Sequence, residues 1–218
     1  MQTMKSGLLN GRSLLAGGLL AVLLAGCSNL PQPPQAVARY DLGVPPALAP
    51  ASDALQPVAL AKMQAPLQSD GNTAVRYRLA YADAQVLHAY AQARWSLPPA
   101  QMVLQRLREH LGQGGRVVLS AEAGELPPSV QGRQVPVLRL SLEEFSHVFF
   151  SPTESRGLLR LRATVLEHSA QGDKLLAQRA LVLQRSATTA DAAGGTQALA
   201  AAVDAAALEI DQWLAQIR

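Results

Sequence analysis

The run GLLRLRATVLEH at residues 157–168 is followed closely by KLLAQRALVLQR at residues 174–185. In the first run, aliphatic residues alternate with arginine and threonine, so that one face is apolar and the other is polar. The second run alternates in the same way, although Arg179 falls on its apolar face. Gln171-Gly-Asp173 lies between the runs and is typical of a hairpin turn. The two runs predict paired antiparallel strands, with one face on a core and the other in water.

Strand patterns continue towards the N-terminus. The longest covers Val135–Phe150, and Val75–Ala80 is predicted to pair with Gln85–Trp95 around a turn at 82–84. Trp95 stands directly before a predicted helix, and we expect its ring to seal the junction between the sheet and that helix. The shorter strand candidates are 39–42, 58–60 and 116–120.

Two segments show helical periodicity instead. Ser96-Leu-Pro-Pro99 is predicted to open the first helix, because proline is tolerated in a first turn, and Gly112-Gln-Gly-Gly115 is predicted to end it. The second helix starts at Asp191 or Thr196 and runs to Ile217, with apolar residues at spacings of three and four. Each helix has one apolar stripe. We therefore predict an α+β fold, an antiparallel or mixed β-sheet with two helices packed on one face.

The N-terminus has the organisation of a secretory signal. Lys5 and Arg12 are its only charged residues, and the run from Ser13 to Gly26 is apolar or small. Such a run suits a signal h-region but is shorter than the about 20 residues that a membrane span needs. We therefore predict a signal peptide at residues 1–26.

The sequence LAGC at residues 24–27 resembles the lipobox of bacterial lipoproteins, in which the cysteine becomes the lipidated first residue. The modification needs a nucleophilic thiol after small residues, so we predict N-acyl (palmitate) and S-diacylglycerol groups on Cys27. The alternative interpretation is a free cysteine inside a signal helix. Ser28 follows, and the resemblance to Gram-negative lipoproteins implies that a serine there favours transfer to the outer membrane.

A proline-rich stretch follows the lipobox. Seven prolines fall between Pro31 and Pro57, among alanine, glutamine and serine, which indicates an extended linker. We therefore divide the chain into the signal peptide, a lipidated N-terminus and tether at 27–56, and a periplasmic α+β domain at 57–218.

Composition excludes several classes of protein. Among 218 residues, 19 Lys+Arg against 16 Asp+Glu leave a net charge of +3, too small for a dedicated nucleic-acid binder. A single cysteine excludes an intramolecular disulfide framework and a cysteine-rich metal site. Disorder of the whole chain is excluded because 49% of its residues are hydrophobic.

The sequence has no catalytic signature. Its histidines, at 88, 110, 147 and 168, do not form an H-E-x-x-H pattern, and it lacks G-x-S-x-G. Gly112–Gly115 has neither the lysine nor the hydroxyl residue of a P-loop. Glu143 and Glu144 are adjacent, so we expect them on opposite faces of a strand rather than in a catalytic dyad. The sequence therefore predicts no enzyme, no metal site and no cofactor beyond the lipid on Cys27.

The remaining candidates are arginines on the polar faces of strands. Arg76, Arg78, Arg160 and Arg162, together with Arg94, are predicted to form a basic stripe that binds a partner protein or lipid headgroups. The alternative interpretation is that they are only the solvated faces of half-buried strands.

Several features recur in an order typical of one family. Tyr40-Asp-Leu42 precedes the hairpin VRYRLAYADAQVLHAYAQARW at residues 75–95, and Trp95-Ser-Leu-Pro98 then leads into a helix with Leu104 and Leu107. This order resembles the ABC-type transport auxiliary lipoprotein family.

The resemblance covers about residues 38–217 and implies a non-enzymatic role. Members accompany ABC transporters with MCE-domain subunits. The resemblance thus implies an MCE-domain protein and an ABC permease and ATPase as partners, in phospholipid trafficking between membranes. It also implies an anchor in the outer membrane, with the domain facing the periplasm. Two other classes stay open, an envelope-assembly lipoprotein without an ABC partner and an anchored periplasmic enzyme. An exposed sheet edge or an apolar helix stripe leaves a homo-oligomer open as well.

Overall fold

A computed structural model describes residues 36–47, 55–67, 71–122, 129–169 and 172–217. The predicted signal peptide, Cys27 and most of the predicted tether lie outside these residues. The helices are α1 (Pro99–Gln113) and α2 (Ala192–Leu214). The strands are β1 (Ala38–Tyr40), β2 (Val58–Ala61), β3 (Ala74–Leu79), β4 (Asp83–Trp95), β5 (Val118–Ala121), β6 (Ser129–Val130), β7 (Arg133–Gln134), β8 (Val137–Phe149), β9 (Ser155–Ser169) and β10 (Gly172–Ser186).

The long alternating runs form a meander of three antiparallel strands, β8, β9 and β10. In β9, the residues Leu159, Leu161, Ala163 and Val165 are each at most 1% exposed, whereas the residues between them reach the opposite face. This is the arrangement that the period of two predicts. The sequence prediction of a β9–β10 hairpin is therefore confirmed.

The other edge of β8 is shared by two smaller groups of strands. Near its start, β8 pairs in parallel with β2, which in turn pairs in parallel with β5. Near its end, β8 pairs in parallel with β3, the first strand of the antiparallel β3–β4 hairpin. One mixed sheet results, in the order β1-β4-β3-β8-β2-β5 with β9 and β10 beyond β8.

Both helices cover one face of this sheet, as predicted. Helix α2 packs on β8, β9 and β10, and α1 packs beside α2. Gly157 in β9 explains how closely α2 approaches, because a Cβ there would lie 2.6 Å from the backbone nitrogen of Leu199. Helix α2 begins directly after Asp191, whose carboxylate accepts a hydrogen bond from the Gly194 amide at 2.9 Å. Of the two predicted starts, Asp191 is the correct one.

The chain enters this fold through residues that the sequence analysis placed in the tether. Ala38–Tyr40, which overlaps the strand candidate at 39–42, forms β1 and pairs in parallel with the end of β4. Leu42 follows and is 8% exposed within the main core. The unit that begins at Val37 is therefore larger than the predicted domain.

A buried arginine of α1 fixes this entry segment. The side chain of Arg106 is 4% exposed and lies between α1 and α2, where it donates to Asp204 Oδ1 at 2.7 Å. It also donates to the carbonyl oxygens of Leu42, at 2.7 Å, and Gly43. One guanidinium therefore joins both helices to the entry segment.

A second buried arginine, Arg116, lies just beyond the end of α1 and also joins α2 to the N-terminal part of the fold. Arg116 donates to Asp211 Oδ1 of α2 at 2.9 Å and to the Gln56 carbonyl at 2.6 Å. Arg106 and Arg116 together hold the chain on either side of the segment between Gly43 and Gln56. Such buried, charge-assisted bonds are costly to break, because an unpaired charge would remain.

Candidate interaction face

Four predicted arginines lie on the sheet face opposite the helices. Arg76 and Arg78 belong to β3, and Arg160 and Arg162 belong to β9. These two strands flank β8, and each of these arginines alternates with residues that point towards the helices. We call Arg76, Arg78, Arg160 and Arg162, with Glu143 and Glu144 of β8, the arginine face. The two pairs are 82 or more positions apart in the chain and are brought together by β8 alone.

A β-bulge places both glutamates on this face. The register of β8 with β9 shifts between Leu142 and Glu144, so that Glu143 is an extra residue. Before the bulge, even-numbered residues such as Leu142 point into the core, and after it odd-numbered residues such as Phe145 do so. The expectation that Glu143 and Glu144 lie on opposite faces is therefore wrong, because strict alternation fails at an inserted residue.

Arg78 is fully engaged within the fold. Its Nε and Nη2 each lie 3.2 Å from an oxygen of Glu144, which makes a two-pronged ion pair. Its Nη1 donates to the carbonyls of Ala84 and Gln85 at 3.3 and 3.2 Å. Ser146 donates to the same carboxylate at 2.6 Å. Arg78 therefore fixes the turn of the β3–β4 hairpin to β8, and it has little capacity left for a partner.

Arg160 and Arg162 share one carboxylate. Arg162 lies 2.8 Å from Glu143 Oε1, and Arg160 lies 3.8 Å from Glu143 Oε2. Their side chains are 52% and 48% exposed. Within the described part of the chain, Arg76 has neither a hydrogen bond nor an ion pair from its side chain. Four arginines against two glutamates thus leave the face with two uncompensated positive charges, one on Arg76 and one shared by Arg160 and Arg162.

Arg94, which the sequence analysis grouped with this stripe, is used elsewhere. Its Nη1 donates to the carbonyls of Tyr90, Ala91 and Ala93, all within β4. The register of β4 against β3 shifts twice, so some β4 carbonyls have no partner across the ladder. Arg94 supplies these bonds, so its Nη1 is engaged within its own strand.

The histidines are dispersed, and among the described residues no group of three or more His, Cys, Asp or Glu is arranged to hold a metal ion. His168 lies 2.7 Å from Asp173, and this hydrogen bond lowers the pKa of the Asp173 carboxyl. His110 is buried at the end of α1, and its burial lowers its pKa.

His147 is the most deeply placed of the four, on the helix side of β8. It is 0% exposed, and its Nδ1 lies 2.9 Å from the hydroxyl of Tyr90. Gly195 of α2 lies against the ring, since a Cβ there would come within 2.3 Å of Nδ1. The Nε2 atom has no hydrogen-bond partner among the described residues. Burial therefore lowers the pKa of His147 from 6.5 to about 4.

This burial predicts a loss of stability in mild acid. In the folded state the imidazole ring of His147 is protonated only near its pKa of about 4. In the unfolded chain it is protonated below about pH 6.5, so between these pH values the unfolded state binds one proton more than the folded state. We expect the free energy of unfolding to fall by about 2 kcal/mol between pH 7 and pH 5 from this residue. Denaturant unfolding of the wild type and of His147→Gln at both pH values measures this fall. If the free energy of unfolding falls equally in both proteins, burial of His147 is not its cause.

The fold matches solved structures over most of its length. Protein XCC0632 from Xanthomonas campestris, of the DUF330 family, is 18% identical with a TM-score of 0.64, over 82% of this chain and 95% of that one. A second structure, of an uncharacterised protein, is 13% identical with a TM-score of 0.60, over 83% of this chain and 99% of that one. A search of curated proteins found no match. No helix in the described residues is long and apolar enough to cross a membrane.

The described residues thus form an α+β domain whose sheet carries a charged face opposite the helices. The family model described as ABC-type transport auxiliary lipoprotein component matches residues 40–211. The chain belongs to this family, as the hairpin and helix motifs predict. The family's description makes it an auxiliary lipoprotein of ABC-type transport and assigns it to no class of enzyme.

Proposed function

We propose that this chain is a non-enzymatic auxiliary subunit that links the outer membrane to an ABC transporter containing an MCE-domain protein, and that it serves phospholipid trafficking between membranes. The observation that carries the proposal is the family match over residues 40–211. The lipobox at 24–27 and Ser28 support an outer-membrane anchor on Cys27, with the domain in the periplasm.

The length of the tether fits this role. Nine residues lie between Cys27 and the start of the folded unit at Val37. An extended chain spans at most about 3.3–3.6 Å per residue, so the ten steps from Cys27 to Val37 can reach roughly 35 Å at most. This upper limit leaves room for a periplasmic partner to meet the domain while the lipid stays in the membrane.

The arginine face is the surface that we propose for the partner. Arg160 and Arg162 are half exposed and share one carboxylate, so an acidic group on a partner would complete their pairing. Arg76 is available in the same way, because no described residue pairs with it. Arg78 contributes by holding the hairpin in place. The sheet below fixes the backbone of these groups, so binding has to order their side chains only.

A charge reversal tests this assignment. The double variant Arg160→Glu/Arg162→Glu should recover at least tenfold less MCE-domain protein than the wild type when the lipidated protein is purified from envelope extracts in mild detergent. Circular dichroism should show an unchanged fold, because both side chains are exposed. The matched control, Lys62→Glu/Arg133→Glu, makes the same change in net charge at two exposed positions outside the face and should recover normal amounts.

The possible results distinguish the arginine assignment from the transport role. If the folded Arg160/Arg162 variant recovers a normal amount of MCE-domain protein, only the assignment of the arginine face is contradicted. Absence of every MCE and ABC component from wild-type preparations, across several mild detergents, would contradict the transport role and favour an envelope-assembly lipoprotein. A Cys27→Ser variant should incorporate no palmitate label, and incorporation of that label would contradict the proposed anchor.

A further inference from the structure

The last strand of the sheet has an open edge. Among the described residues, β10 is hydrogen-bonded to β9 only, and no strand lies on its other side. Residues Ala177–Ser186 pair without interruption with Val165–Arg156, so this part of the strand is free of bulges over ten residues. Alternate N–H and C=O groups along such a strand point away from its partner and are free to pair with another chain.

A groove runs along this edge, between β10 and the second half of α2. From the strand it is lined by Arg179, Leu183 and Arg185, and from the helix by Leu208, Glu209 and Trp213. Leu208 is 47% exposed on the helix side, and Val182 is 59% exposed on the opposite face of the same edge. Apolar side chains therefore lie on both faces of the open edge.

The groove holds one cation without an acidic partner among the described residues. Arg179, which the sequence pattern placed on the apolar face, points into the groove and forms an ion pair with Glu209. Arg185 donates to the Gln184 carbonyl at 2.8 Å and has no acidic partner among the described residues. The only acid in β10 is Asp173, which pairs with His168 and Arg139 outside the groove.

We propose that the open edge of β10 binds an extended acidic segment of a partner protein, added to the sheet as a further strand. The unpaired backbone groups of Ala177–Ser186 select an extended chain rather than a helix. Side chains of that segment that point towards α2 would rest on Leu183, Leu208 and Trp213, and a carboxylate among them would pair with Arg185.

A second copy of this chain is a poorer occupant. In β10, Lys174 already pairs with Glu167 and Arg179 with Glu209, so a second β10 would bring a second unpaired Arg185 to this edge and no free carboxylate. An acidic segment offers Arg185 the carboxylate that the described part of the edge lacks. This binding site is separate from the arginine face and does not depend on the proposed transport role.

A peptide titration tests the proposal on the full chain, purified from membranes in mild detergent. The probe is a fluorescein-labelled ten-residue peptide, VVEEVVEEVV, which presents both valine and glutamate on each face of an extended strand, and its binding is followed by fluorescence anisotropy. We expect saturable binding that Arg185→Glu weakens at least tenfold and that Arg185→Lys largely keeps. The matched control Arg133→Glu, an exposed cation of β7, should bind as the wild type does.

Backbone recognition is tested by removing hydrogen-bond donors. Two further peptides carry N-methyl groups on alternate amides, one set on the odd and one set on the even positions. Strand addition requires that one set abolishes binding and the other does not, because only one edge of the peptide faces β10. The amides of β10 should also exchange more slowly with solvent when the unmethylated peptide is bound.

Three results would overturn the proposal. The first is that the folded wild type does not bind the peptide, which would mean that the cations of β10 only prevent its edge from pairing with other strands. The second is equal binding of both methylated peptides, or of a valine–lysine peptide. The third is self-association through β10, detected by sedimentation, that leaves its amides protected before any peptide is added.

Discussion

Replacing Trp95 with alanine should lower the free energy of unfolding by about 3–5 kcal/mol, the usual cost of removing a buried aromatic side chain. Trp95 is the last residue of β4 and is 1% exposed. Its ring centroid lies 5.3 Å from that of Phe145 on β8, within the core cluster that includes Leu107 of α1. The loss is a large fraction of the 5–15 kcal/mol that stabilises a typical domain.

Urea unfolding of a version that begins at Ser28 measures this loss. Trp213→Ala is the matched control, because that tryptophan is only partly buried, on the groove side of α2, and should lose clearly less. Trp95→Phe keeps a ring beside Phe145 and should recover much of the stability. An unchanged unfolding midpoint in Trp95→Ala would contradict the expected seal between sheet and helix.

Replacing Arg106 with alanine should cost about 3 kcal/mol or more, because it leaves a carboxylate and two carbonyl groups without their donor. The affected acceptors are Asp204 and the carbonyls of Leu42 and Gly43. Since the last two belong to the entry segment, we also expect faster hydrogen exchange at β1. The measurements are urea unfolding and exchange followed by mass spectrometry.

Arg108→Ala on the same helix is the matched control. Its guanidinium makes one long, exposed bond of 3.4 Å to Ser120, so the expected loss is below about 1 kcal/mol. Arg106→Met/Asp204→Leu removes both charges and should recover part of the loss. Equal stability of Arg106→Ala and Arg108→Ala would show that the buried bonds contribute nothing.

Most of the strands and both helices could be predicted from local patterns. Leu159, Leu161 and Val165 alternate with polar residues along β9, and this period of two is visible without knowledge of any partner strand. The start of α1 could likewise be predicted from a local signal, the prolines at 98 and 99. The family resemblance rests on the same segments and is confirmed over residues 40–211.

The errors fall where a long-range contact overrides the local pattern. Glu143 and Glu144 share a face because β8 gains a residue relative to β9, and a bulge has no strong signal in one sequence. Arg94 resembles the other strand arginines in sequence, and no local pattern indicates that its Nη1 bonds to carbonyls of its own irregularly paired strand. Arg179 interrupts the apolar face of β10 in the sequence pattern, and its ion pair with Glu209 of α2 explains why an arginine occupies that face.

Local patterning predicts the class of fold and the faces of the regular strands, because the alternation of side chains is a local property of an extended chain. Three features come from tertiary contacts instead: β8 lies between Arg78 and Arg162, Arg106 and Arg116 hold the entry segment, and β10 lies at an edge of the sheet. These features depend on which strands pair and in which register, and that choice is made by contacts between residues far apart in the chain.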